Sequence, residues 1–275
     1  GSEVTLAAVI TDDETHYKYP INDFVLIPRF AVHDPEFTCG LPASITGQTG
    51  MDALTHAVEA FIGRSTTPYT RKMARQAVQL IHDNLLEAYE HGDDMRARRN
   101  MLSAAYKAGV AFTRSYVGYV HAIAHSLGGR YGIPHGLANA IILPHMLRAY
   151  GEAAAPKLAD LARMAGIVPV NAQDSLAAEA FIDWIDCMNE ILGIPKYVSG
   201  IRRSDIPEKA AHTHGVGKVT RTQARTTPSS HVSDLMTNLG KRRTDLAHIC
   251  LVMRLSQIGL ECMGNIGLVR PYRIA

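Results

Sequence analysis

Thr49-Gly-Met-Asp-Ala-Leu-Thr-His-Ala-Val-Glu59 is the stretch on which the fold and the chemistry of this chain turn. Met51, Leu54, Val58 and Phe61 recur at threes and fours and form the apolar flank of a helix. Asp52, His56 and Glu59 form a polar stripe beside that flank. A helical step of four residues turns about 400°, so Asp52 and His56 point the same way, one turn apart. Each has an ordinary alternative. Thr49-x-x-Asp52 matches a capping box, and a lone helix histidine is more often hydrogen-bonded than ligating. A carboxylate stacked on an imidazole along a largely apolar helix also suits a shared cation.

Two further segments supply imidazoles. Gly118-Tyr-Val-His-Ala-Ile-Ala-His-Ser-Leu-Gly-Gly129 places His121 and His125 on one face among apolar neighbours, with Gly128 and Gly129 expected to end the helix. Tyr131-Gly-Ile-Pro-His-Gly136 then turns the chain, and Pro134 fits the start of a helix that carries His135. A helix, a short turn and a helix can bring His135 back beside His121. Asp52, His56, His121 and His135 are thus candidate ligands for one divalent ion. Three neutral imidazoles and one carboxylate leave such an ion with a net charge near +1, able to polarise a substrate oxygen.

Outward from these segments the pattern is mainly α. Residues 68–90, 95–112, 136–150, 156–167 and 175–192 each carry helical periodicity, and Pro144 should kink the third of them. Residues 4–10 and 24–27 are short, β-branched and bounded by turn formers, so both read as strands. Two or three strands make a poor sheet. The expected architecture is a bundle-like helical metal domain over 41–275, preceded over 1–40 by strands left from an α/β domain. Residues 213–232 read as loop and 245–263 as one more helix.

With 275 residues the chain can bury a sizeable core. A net charge of +2 without a dense Lys/Arg run argues against nucleic acid or an anionic membrane as partner. Arg96, Arg98 and Arg99 beside Asp93 and Asp94 read as a solvated helix face. Cys39, Cys187, Cys250 and Cys262 are scattered, which suits a reducing cytoplasm. No apolar run approaches the roughly 20 residues that span a bilayer. Among the other histidines, His145 reads as core or hydrogen-bonded, and His212 and His214 as exposed.

The motifs resemble the iron-containing alcohol dehydrogenase family. The likeness rests on Gly1-Ser-Glu-Val-Thr5, the run from Gly47 to Ala60, the segment from Gly118 to Gly129, and Pro134-His-Gly-Leu-Ala-Asn-Ala-Ile-Ile-Leu-Pro-His145. It covers roughly residues 1–210. The resemblance implies a nucleotide-binding α/β domain followed by a helical metal domain. It puts the metal ligands on Asp52, His56, His121 and His135, with Fe²⁺ as the ion and Zn²⁺ as a substitute. His125 matches a histidine close to the nicotinamide, and Lys18, in Thr15-His-Tyr-Lys-Tyr-Pro20, matches a lysine near the dinucleotide, NAD or NADP. A primary alcohol or aldehyde would be the substrate, and a homo-oligomer is expected.

This chain departs from the family pattern twice. No Gly-rich phosphate loop is visible, so the sequence is expected to begin inside a longer protein. Residues 212–275 lack the family's closing Asn-Pro stretch. Two readings besides the dehydrogenase stay open on the residues alone. One is a metal-dependent hydrolase with Glu59 as base, and the other a metal-binding or oligomer-forming module without turnover.

Overall fold

The structure is a computed structural model and describes residues 1–15 and 18–198. His16, Cys250, Cys262, His212, His214 and the expectations for the loop at 213–232, the helix at 245–263 and the closing stretch lie outside the described residues.

Among the described residues the strands form one antiparallel hairpin near the start of the chain. Strand β1 (Ala7–Thr11) pairs with β2 (Lys18–Asn22), in register from Ala7 opposite Asn22 to Thr11 opposite Lys18. The strand expected at 24–27 is not one. Phe24–Leu26 forms one 3-10 turn, capped by Asp23, whose carboxylate accepts the Val25 N–H at 2.9 Å. Likewise Ser2–Val4 is a 3-10 turn, so the first strand starts only at Ala7. The apolar run at 24–27 misled because pairing is set by the turn that β1 runs into. There Asp12 accepts from both the backbone and the hydroxyl of Thr15, which folds residues 18–22 back onto β1.

Helices follow: α1 (Glu36–Cys39), α2 (Ala43–Ile62), α3 (Pro68–Glu90), α4 (Met95–Ser115), α5 (Tyr119–Tyr131), α6 (His135–Tyr150), α7 (Ala155–Met164) and α8 (Asp174–Ile191). The mainly helical expectation is met. α2 is the hub, packed against α3, α4, α6 and α7, with Met51, Leu54, Val58 and Phe61 all buried. Each such side chain contributes roughly 1.5–3 kcal/mol by leaving water.

Three local expectations are corrected. α2 starts at Ala43, so Thr49 is interior, and its hydroxyl donates to Ile45 O at 2.8 Å instead of capping. α5 runs through Gly128 and Gly129 and stops at Gly132, whose φ of +65° takes the left-handed cap. Arg98 is no solvated residue. It is 3% exposed, with Nε donating to Gly92 O at 2.8 Å and Nη1 to Thr46 Oγ1 at 2.7 Å, and so ties the α3–α4 turn to α2.

α6 accommodates Pro144 by borrowing a donor. The proline has no N–H for the carbonyl of Ala140 four residues back. Asn189 of α8 donates its amide to that oxygen at 2.7 Å. At the other end of α6, Gly136 lets the helix meet α2 at backbone range: a Cβ there would stand 2.6 Å from Gln48 O. Gly136→Ala should therefore push α6 off α2 and cost about 1–3 kcal/mol. Urea unfolding reads this directly, and an unchanged midpoint would mean the contact is slack.

Candidate metal centre

α2 contributes Asp52 and His56 from adjacent turns of one face, α5 contributes His121 from its first turn, and α6 opens with His135. One ligand-capable atom from each of these four residues lies within 4.8 Å of every other. His121 Nε2 is 3.8 Å and His135 Nε2 3.7 Å from Asp52 Oδ1. The His56 and His121 rings stack at 4.5 Å, and His56 is backed by Phe112 at 4.3 Å. Ligand atoms held about 2.0–2.2 Å from a shared cation stand roughly 3–4 Å apart, so this spacing needs little adjustment.

The donor set fits a cation in protonation as well as in distance. Burial pushes His56 and His121 down to about 3, against the pull of Asp52, so both imidazoles are neutral at neutral pH. Burial would raise the Asp52 carboxyl, but His56, His135 and His121, with the Asn139 amide, together hold it below its ordinary value. His121 Nε2 is buried and has no hydrogen-bond partner among the described residues. A buried bare lone pair is costly, and a cation would answer it.

Sequence reasoning missed Asn139. It is fully buried on α6, with its amide 2.6 Å from Asp52 Oδ1 and 3.1 Å from His135 Nε2. The signal was available, because Asn139 follows His135 by four residues and so shares its face. Glu59 was given a role only as the base of the alternative hydrolase reading. It is 1% exposed, and its two oxygens accept from Gly118 N, Val120 N and His121 Nδ1 at 2.7–2.8 Å. Burial raises its carboxyl to about 7, while the Gly118 and Val120 amides pull it back. Facing helix amides and an imidazole, it is not placed to activate a water in the cavity.

His125 stands outside the set of four. Its ring lies 5.1 Å from that of His135 and 6.2 Å from that of His121, and its Nδ1 is buried without a partner among the described residues. Burial first, then the charges of His121, His135 and Lys18, push it to about 3. Lys18 reaches the same end from β2: a Cβ on Gly128 would sit 3.2 Å from its Nζ. A largely apolar cavity opens on His56, His121, His125 and His135, walled by Phe112 and by Leu6 and Val9 of the hairpin segment. Tyr116 also lines it, with φ of +64°, the sole non-glycine in that region among the described residues. His145 is remote, with its ring stacked on Tyr197 and Nε2 3.4 Å from Lys196 O.

These depressed imidazoles link stability to pH. An unfolded histidine titrates near 6.5. His56, His121 and His125 titrate near 3 when folded, so their contribution is intact above 6.5 and is lost as pH falls toward 3. Glu59, raised to about 7, works in the opposite sense and offsets part of this. The chelator-treated chain should lose stability between pH 6.5 and 4.5, on the order of 1 kcal/mol per pH unit. Urea midpoints across that range check it. A flat or inverse profile would mean the imidazoles are not held neutral.

Residues 46–240 match the model of the Fe-containing alcohol dehydrogenase family, C-terminal part. A 1,3-propanediol dehydrogenase of Klebsiella pneumoniae is 43% identical over 213 residues, covering 76% of this chain and 55% of that enzyme. Alcohol dehydrogenase 4 of Saccharomyces cerevisiae is 36% identical over 216 residues, covering 77% and 55%. The solved alcohol dehydrogenase from Oenococcus oeni superposes with a TM-score of 0.82 at 33% identity, over 87% of this chain and 63% of that one. The chain thus spans about half the length of the curated relatives it matches. On the family match and these identities, this chain belongs to the Fe-containing alcohol dehydrogenase family, of which it carries the C-terminal, helical part.

Proposed function

We propose that this chain supplies the metal-binding part of an NAD(P)-dependent alcohol dehydrogenase, with Asp52, His56, His121 and His135 holding Fe²⁺, or Zn²⁺ in its place. The observation that carries this reading is the convergence of one carboxylate and three imidazoles from three helices to within 4.8 Å. When bound, the cation polarises the oxygen of a primary alcohol or aldehyde, and the nicotinamide supplies or accepts the hydride.

The chain's own residues prepare that exchange. Asn139 fixes Asp52 by a 2.6 Å bond, so the carboxylate enters the site in one orientation. Phe112, Leu6 and Val9 wall the cavity with apolar groups and keep competing water from the hydroxyl to be oxidised. His125 lines the cavity beside His121 and His135, and its Nδ1 has no hydrogen-bond partner among the described residues, so it is placed to relay the hydroxyl proton through a water or to pack at the nicotinamide. Lys18 brings a cation close to Gly128 and His125, suited to an anionic dinucleotide. In this reading residues 1–40 end a nucleotide-binding domain and 41–275 form the metal domain. In the same reading the protein is a cytoplasmic homo-oligomer, and Cys39 and Cys187 form no disulfide among the described residues, which suits a reducing compartment. Among the described residues no helix is long and apolar enough to cross a membrane.

Metal analysis of the reloaded chain tests the reading first, and turnover second. His121→Ala should cut bound metal sharply below stoichiometric, because three ligands leave an incomplete and weaker shell. His125→Ala should keep the metal and slow reduction of NAD(P)⁺ by a primary alcohol roughly 10²- to 10⁴-fold. Equal metal loss in both variants would mean the two histidines are misassigned. Ester or amide hydrolysis in place of alcohol oxidation would overturn the reaction class.

A further inference from the structure

α5 begins without a cap of its own. Its N-cap residue is Gly118, which has no side chain to offer, and the first N–H groups of any helix lack partners within it. Glu59 of α2, fifty-nine residues upstream of Gly118, fills that place. Its Oε1 accepts the Val120 N–H at 2.8 Å and its Oε2 the Gly118 N–H at 2.7 Å. The same Oε2 lies 2.7 Å from Nδ1 of His121, which stands one residue further along that first turn. Three N–H groups converging on two oxygens call for a carboxylate, which has lone pairs for all of them and a charge that suits a helix N-terminus.

This arrangement decides which ring nitrogen of His121 is bare. A neutral imidazole carries one proton. With Nδ1–H donated to Glu59, the lone pair falls on Nε2, the atom that is buried, has no partner among the described residues and sits 3.8 Å from Asp52 Oδ1. The reverse tautomer would aim an N–H at the place where the other three donor atoms converge.

We infer that Glu59 is the positioning residue of the metal centre: one carboxylate both pins the first turn of α5 to α2 and locks His121 in the Nδ1–H tautomer, so that Nε2 arrives bare and at a fixed distance from the Asp52–His56 pair. This rests on the four-ligand reading above. Glu59 touches neither cation nor substrate and acts through His121. Glutamine cannot replace it. An amide has one acceptor oxygen and an NH₂ group, so at least one of the three N–H donors would face another donor. If that donor is His121 Nδ1, the ring turns over its tautomer and presents a proton to the cation.

Two measurements on the chain test this. The first is the nitrogen NMR of the His121 ring in metal-free protein at pH 8. The result expected is a protonated Nδ1 and a bare Nε2; a protonated Nε2 in the unaltered chain overturns the inference. The second is Co²⁺ affinity by competition with a chelator. Glu59→Gln should weaken it roughly 10- to 100-fold, yet add no loss in a His121→Ala background. An equal loss in that background would mean that Glu59 supports the fold at large and not His121, and would also overturn it. Should Glu59→Gln fail to fold, the ring nitrogens of the unaltered chain still decide. If the unaltered chain takes up no Co²⁺, the four-ligand reading fails, while the tautomer of His121 continues to judge the hold of Glu59.

Discussion

The backbone approach of α6 to α2 is the constraint from which the centre follows. With no side chain at Gly136, the first turn of α6 settles against the carbonyl of Gln48, one helical turn before Asp52. That contact delivers His135 to Asp52 and lets Asn139 reach the same carboxylate. A methyl group at this point would separate the two helices by more than the tolerance of a coordination shell, in which ligand atoms stay within ~0.2 Å of their ideal distances. The site is therefore governed by a spacing between main chains, and its four donor side chains inherit their positions from it.

The second ingredient is dryness. α2 and α5 bury His56 and His121 deeply enough that neither imidazole takes a proton at neutral pH. Proton competition, which ordinarily weakens imidazole sites below neutrality, is thus largely removed before any ion arrives. Asp52 supplies the carboxylate of the set, and Asn139 steadies it. Such burial is costly in a chain without the ion. The unpartnered nitrogens of His121 and His125 are where that cost is visible among the described residues.

Much of this was legible in the sequence, because it obeys helical periodicity. The four-residue steps of Asp52–His56 and of His121–His125 predicted shared faces, and Pro134 announced the helix that carries His135. What misled was local chemistry with two valid uses. Thr49 and Asp52 fit a capping box, yet the helix had already started at Ala43, and no short motif reveals where a longer one begins. Gly128 and Gly129 looked like a stop, but Gly128 gives room to Lys18 and to Ile133 O while Gly132 turns the chain. The strand at Lys18–Asn22 was hidden by Pro20 and outshone by the more apolar 24–27. Arg98 and Glu59 share one lesson: a buried charge is recognised only by partners distant in sequence, here Thr46, and Gly118 with Val120. Periodicity cannot name those.

Tyr116 leaves a different kind of mark. A tyrosine at φ of +64° and ψ of 173° carries backbone strain on the order of 1–3 kcal/mol, which glycine would not. It sits at the corner joining α4 to α5, where it lines the cavity without being one of the four converging donors. The width of that end of the cavity can accordingly be altered by one codon at that corner. A change there redraws the outline of the cavity while all four donor side chains stay in the chain.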